Sequence, residues 1–193
     1  TVALPEMREG RVALCFATML ARSTGTPVPH IDYRSPVQAY AAAQGQRAYY
    51  RALEQRGHVR VLTTWPEVAR HVAAWRAWDD AADPGAPPPL GLVISMEGAD
   101  PILEPEDLPA WWEDGLRILG PVHYGMGRYG GGTGTERGLT DRGERLLAEM
   151  DRTIELSGGN TGLKLCLALN YGGRDEIVHA VRAIARRVRS GEL

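Results

Sequence analysis

Leu90-Gly91-Leu92-Val93-Ile94-Ser95-Met96-Glu97 decides the fold class. Seven residues pass with almost no polar alternation before a carboxylate ends the run, which is the pattern of a strand covered on both faces. Working outward, Val12 to Leu20, Val59 to Thr63, Leu119 to His123 and Leu163 to Leu169 repeat this character. Helix signals separate them. Ser35, Pro36 and Gln38 supply a cap, a first-turn proline and a capping partner, and Gly57 closes that helix. Thr64 with Glu67 repeats the device, a third helix runs from Glu106 through Trp111 and Trp112, and a fourth starts at Thr140. A last helix places Ile177, Val181, Ile184 and Val188 on one stripe. Strand and helix alternate five times, so the sequence predicts an α/β fold of parallel strands with helical crossovers. A complete eight-fold barrel takes about 250 residues. The 193 residues here point to an incomplete (β/α)8-like barrel or an open, doubly wound sheet.

Composition narrows the function. With 22 basic and 24 acidic side chains and a net charge of -2, the chain has no general attraction for nucleic acid. No apolar run approaches the roughly 20 residues of a membrane helix, so a transmembrane segment is not expected. Cys15 and Cys166 sit inside apolar runs and read as small buried hydrophobes, which fits a reducing, cytoplasmic setting. The chain opens at Thr1, and its N-terminus reads as trimmed.

Several motifs invite chemistry. Gly125, Gly127 and Gly130 have G-x-G-x-x-G spacing after a strand, but Gly131-Gly132-Thr133-Gly134-Thr135 follows where a nucleotide site needs a helix, so the segment reads as a mobile loop. His30-Ile31-Asp32 has the H-x-D letters of a metal pair inside a proline-rich loop and lacks further ligands, so it reads as loop decoration. The five tryptophans fall on predicted helices and read as packing. Arg182, Arg186, Arg187 and Arg189 read as a solvated face matched to the negative end of the last helix. Glu97 and His123 are different: each ends an apolar strand, and that end is where parallel α/β folds bind ligands.

Ser95-Met96-Glu97-Gly98-Ala99-Asp100-Pro101-Ile102, Trp111-Trp112-Glu113-Asp114-Gly115-Leu116-Arg117, His123-Tyr124-Gly125 and Gly138-Leu139-Thr140 occur in the order found in the membrane dipeptidase (renal dipeptidase) family, which residues 1–152 resemble. The resemblance implies a (β/α)8 barrel hydrolysing dipeptides with two zinc ions that share a carboxylate. Glu97 matches the bridging metal ligand, and His123 matches the catalytic histidine that contacts substrate. The family's H-x-D pair belongs on a strand preceding Thr1 and its two later zinc histidines belong beyond residue 152, so the implied ligand set is incomplete and little activity is expected. Gly159-Asn160-Thr161-Gly162-Leu163 and Ala168-Leu169-Asn170-Tyr171-Gly172-Gly173-Arg174-Asp175-Glu176 are similar instead to cis-prenyltransferases of the undecaprenyl diphosphate synthase type, over residues 153–193. That resemblance implies magnesium and a diphosphate substrate, with Asn170, Gly173, Arg174 and Glu176 near the substrate site, but the family's D-G-N-G-R-W motif is not in the chain. The sequence therefore reads as a chimera, its second part a βα unit packed into the same domain. A non-catalytic scaffold is the third reading. An unclosed sheet would also expose edges through which copies could pair.

Overall fold

The computed structural model describes residues 3–82, 85–157, 182, 186, 187 and 189. Within them the order is α1 (Leu4–Glu9), β1 (Leu14–Met19), α2 (Pro36–Gln55), β2 (Val59–Val61), α3 (Trp65–Asp79), β3 (Leu90–Glu97), a 3-10 turn (Pro105–Asp107), α4 (Leu108–Glu113), β4 (Leu116–Gly120) and α5 (Asp141–Ser157). The expected strand Leu163 to Leu169, the stripe from Ile177 to Val188, Cys166, and the candidates Asn170, Gly173, Arg174 and Glu176 lie outside the described residues. Arg182, Arg186, Arg187 and Arg189 are exposed helical positions.

The fold is α/β. All strand pairs are parallel, and β3 is the hub: β1 lies along one edge from Leu14↔Gly91 to Met19↔Met96. The other edge is shared, with β2 along Leu90–Leu92 and β4 along Ile94–Glu97. Every residue of β3 except Glu97 is buried, as its unbroken apolar run requires. α2 begins where the sequence places it, because the Ser35 hydroxyl accepts from Gln38 N at 3.3 Å and Pro36 has no N–H to leave unpaired. Gly57, at φ +72°, turns the chain out of that helix. At α3 the Thr64–Glu67 capping box is complete. The hydrogen bonds that Glu67 accepts from Thr63 and Thr64 hold its carboxyl below the usual carboxylate range.

Three expectations are corrected. β1 is not covered on both faces: Ala17 and Met19 are buried against the helices, whereas Phe16 is 63% exposed and Thr18 is exposed. β4 runs three residues earlier than expected, Leu116–Gly120 rather than Leu119 to His123, because Pro121 has no N–H to continue a ladder. Trp75 and Trp111 are core residues, but Trp65 is 55% exposed and Trp78 and Trp112 are half-buried under Arg11 and Arg117.

Arg117 closes the gap between the two strands that share an edge of β3. The register bulges between Ile94↔Leu116 and Ser95↔Ile118, which sets Arg117 out of the ladder. Its Nε donates to Thr63 O, just past β2, at 2.7 Å, and Nη1 donates to Trp112 O at 2.7 Å and Leu116 O at 2.8 Å. The guanidinium lies 3.9 Å from the Trp112 ring centroid. Burial pushes its pKa down, yet guanidinium stays charged. Arg117→Met keeps the apolar stem and removes these bonds, so it is expected to destabilise by about 2 kcal/mol in urea unfolding; an unchanged midpoint would show that water replaces the guanidinium without loss.

Candidate functional site

β3 and β4 end side by side, so the segments that follow them share one rim. Gly98, at φ +87°, lets the chain leave β3 with the position of its missing Cβ only 3.7 Å from His123 Cβ. Glu97, the last residue of β3, is thereby presented at the rim. His123 sits three residues beyond the end of β4, and its Nδ1 lies 3.0 Å from Glu97 Oε1, with the side chains 34% and 46% exposed. Nδ1–H donates to the carboxylate, which leaves Nε2 as the ring nitrogen not engaged by Glu97. The two residues that sequence places at neighbouring strand ends do meet. Beneath them Thr18 and Ser95 share a hydroxyl hydrogen bond of 2.8 Å.

The glycine-rich segment that follows is packed, not the mobile loop expected. Thr133 N donates to His123 O at 2.8 Å, Gly125 N to Thr133 O at 3.0 Å and Gly132 N to Gly125 O at 2.8 Å. A Cβ on Gly132 would stand 2.1 Å from His123 O, so the glycine is what lets the backbone close over the histidine.

A second set of contacts, which sequence reasoning missed, holds three loops together. Asp100, 4% exposed, accepts from Ser23 N at 2.9 Å and Arg128 N at 3.0 Å, joining the segments after β1, β3 and β4. Arg128 returns the tie with bonds to Ile102 O at 2.9 Å and Leu103 O at 2.8 Å. Arg22 Nη2 donates to Tyr124 O, next to His123, at 2.5 Å. Tyr129 is fully buried with its hydroxyl donating to Ile102 O at 2.6 Å, and burial pushes its pKa up to about 12.

His30 and Asp32 do not form a metal pair. Asp32 turns inward to accept from Thr24 N at 3.0 Å and Thr24 Oγ1 at 2.5 Å, while His30 is exposed at φ +66°. Each zinc ion takes about four ligands. Among the described residues no three His, Cys, Asp or Glu side chains come together, so Glu97 and His123 do not by themselves fit a two-zinc centre. Cys15 is half-buried, and burial raises its thiol pKa, which opposes a nucleophilic role. Among the described residues no helix is long and apolar enough to cross a membrane.

No protein-family model matches the chain. Among solved structures, it is similar to the dipeptidase AC, a metallopeptidase of family M19, with 27% identity and a TM-score of 0.58 over 83% of this chain and 48% of that one. It is also similar to a metallopeptidase from Rhodobacter sphaeroides, solved with a phosphinate mimic of the dipeptide L-Ala-D-Ala, with 25% identity and a TM-score of 0.57 over 78% of this chain and 47% of that one. A different relative appears by sequence. An isoprenyl transferase from Rhodopirellula baltica is 45% identical over 56 residues, 28% of this chain and 23% of that protein. The chain thus spans about half the length of the solved dipeptidases and about a quarter of the isoprenyl transferase, and it resembles both families in different shares of its length.

Proposed function

We propose that the chain is built on a metallo-dipeptidase framework, with a family switch near residue 152, and that Glu97 and His123 are its site pair. The observation that carries this is their 3.0 Å contact at neighbouring strand ends, in a fold similar to the M19 dipeptidases. On this reading Glu97 is a metal-ligand position, His123 the group that would face the carbonyl of a small dipeptide, and a reducing cytoplasmic setting suits the free thiol. The same reading makes the 193-residue chain inactive by itself, because two side chains do not supply what two zinc ions need.

The test is zinc per chain by elemental analysis after dialysis against a weak chelator, together with dipeptide hydrolysis. Well under one zinc per chain and no hydrolysis above a Glu97→Gln control are expected. About two zincs with Glu97-dependent hydrolysis would overturn the inactive part and point to ligands outside the described residues.

The second reading, a cis-prenyltransferase segment using magnesium with Asn170, Gly173, Arg174 and Glu176 near its substrate, is favoured by the 45% identity over 56 residues. Thermal stabilisation by farnesyl diphosphate and magnesium would support it, and no shift with either would leave a non-catalytic scaffold.

Self-association through β1 belongs to the same proposal. That strand pairs with β3 alone among the described residues, carries no charge, and exposes Phe16. Uncharged, unblunted edges pair with copies of themselves. Light scattering is expected to show a dimer that Phe16→Lys converts to monomer; a monomeric parent at high concentration would end this idea.

A further inference from the structure

From the structure we infer a second binding site, built from the loop after β1 and the first half of α2, that takes a small carboxylic acid with a compact apolar body. The observation is a cleft of about 690 Å³ whose walls include Val28, Pro29, Ala41 and Ala42 and whose polar groups include His30 and Arg34. None of these residues belongs to the Glu97–His123 pair.

The cleft is open to solvent, with Val28, Pro29, His30 and Arg34 exposed along it, and its lining has the character of a small-ligand site, mostly apolar with a few polar groups that fix orientation. Charge decides which ligand. Asp32 also borders the cleft, but its carboxylate is spent: it accepts two hydrogen bonds from Thr24, lies 3.8 Å from Arg22 Nε, and its side chain is 1% exposed. Among the described residues no carboxylate pairs with Arg34, whose backbone N–H alone is engaged, donating to Gln38 Oε1 at 3.1 Å. The cleft therefore offers an unpaired guanidinium and an imidazole over an apolar floor, with its one acid already engaged by Thr24 and Arg22. A guanidinium fork recognises a carboxylate with two parallel bonds, and the apolar walls take the remainder of the molecule. Small residues keep that floor low. Ala41 is exposed, and nothing lies within 4 Å of the position a Cβ would take on Gly45, one turn further along α2.

The probe is 3-phenylpropionate, titrated into the 193-residue chain and followed by amide NMR and calorimetry, with 3-phenylpropanamide as its neutral counterpart. Shifts confined to residues 27–42 are expected, with the amide binding about tenfold more weakly and Arg34→Gln weakening the acid by a similar factor. Ala41→Leu fills the cleft from an exposed helical position and is expected to abolish binding. Dispersed spectra check that both variants fold, and Glu97→Gln is expected to bind like the parent. Equal binding of acid and amide, an unchanged Arg34→Gln, shifts centred on Glu97 and His123, or no saturation up to the probe's solubility would each overturn the site.

Discussion

Alanine at Gly143 is expected to destabilise the protein by about 3 kcal/mol, the reverse of what the change does at an open helical position. Gly143 stands in the first turn of α5, and a Cβ there would lie 1.9 Å from Tyr129 O and 3.0 Å from its carbonyl carbon. Tyr129 cannot step aside. Its ring is fully buried, its hydroxyl is bonded to Ile102 O, and its own carbonyl accepts from Thr140 N at 3.1 Å. The new methyl therefore pushes α5 off the loop below it. Gly45→Ala in α2 is the matched control: with nothing within 4 Å of the new atom, it is expected to stabilise by about 0.5–1 kcal/mol. Urea unfolding of the two variants should move in opposite directions. A shared direction would mean that α5 and the loop are not held together as described.

Asp100→Ala carries the other large effect, a loss of about 3–5 kcal/mol, because it strands two backbone donors at once. Ser23 N and Arg128 N both lose a charged acceptor at a residue that is 4% exposed. Asp100→Asn keeps one acceptor oxygen and is expected to lose roughly half as much. The change reaches the site as well, since the three loops that Asp100 joins include the one carrying His123 and Tyr124. Urea unfolding measures the first effect, and the amide spectrum of residues 22–24 and 122–130 the second. Unfolding indistinguishable from the parent would show that water replaces the carboxylate.

Much of this architecture is written in local signals. The apolar run of β3, the Ser35–Pro36–Gln38 start of α2 and the Thr64–Glu67 box at α3 are each decided by neighbours in sequence, and each is found in place. Glu97 and His123 were legible for a related reason: adjacent strands bring their ends together whatever the rest of the chain does. What escaped depends on distant partners. β4 was read too late because Arg117 interrupts its apolar pattern, and only the bulge, with carbonyls from β2's end and α4, gives that arginine a place. Exposure of Phe16 follows from one face of β1 lacking a cover, which composition does not reveal. α1 escaped because it is one short stretch of six residues whose Leu4 and Met7 are buried only in part. Asp100 looked like one residue of a motif, whereas its role needs the loops after β1 and β4 to arrive from 77 residues before it and 28 after.

The pairing of β1 with β3 also sets a clock. Thr18 and the Ser95 that it bonds are 77 residues apart in the chain. At about 5–20 residues per second of synthesis, β1 leaves the ribosome roughly 4–15 s before the strand that will cover its first edge. During that interval Leu-Cys-Phe-Ala-Thr-Met is an uncharged β-prone segment without β3, its strand partner among the described residues, and β2, made earlier than β3, cannot help because it binds the opposite edge of β3. Parallel order thus makes the nascent chain dependent on whatever shields that hexapeptide until β3 emerges. Slowing translation after β1 has emerged and before β3 does should lower the yield of folded protein, while slowing it once β3 is out should not.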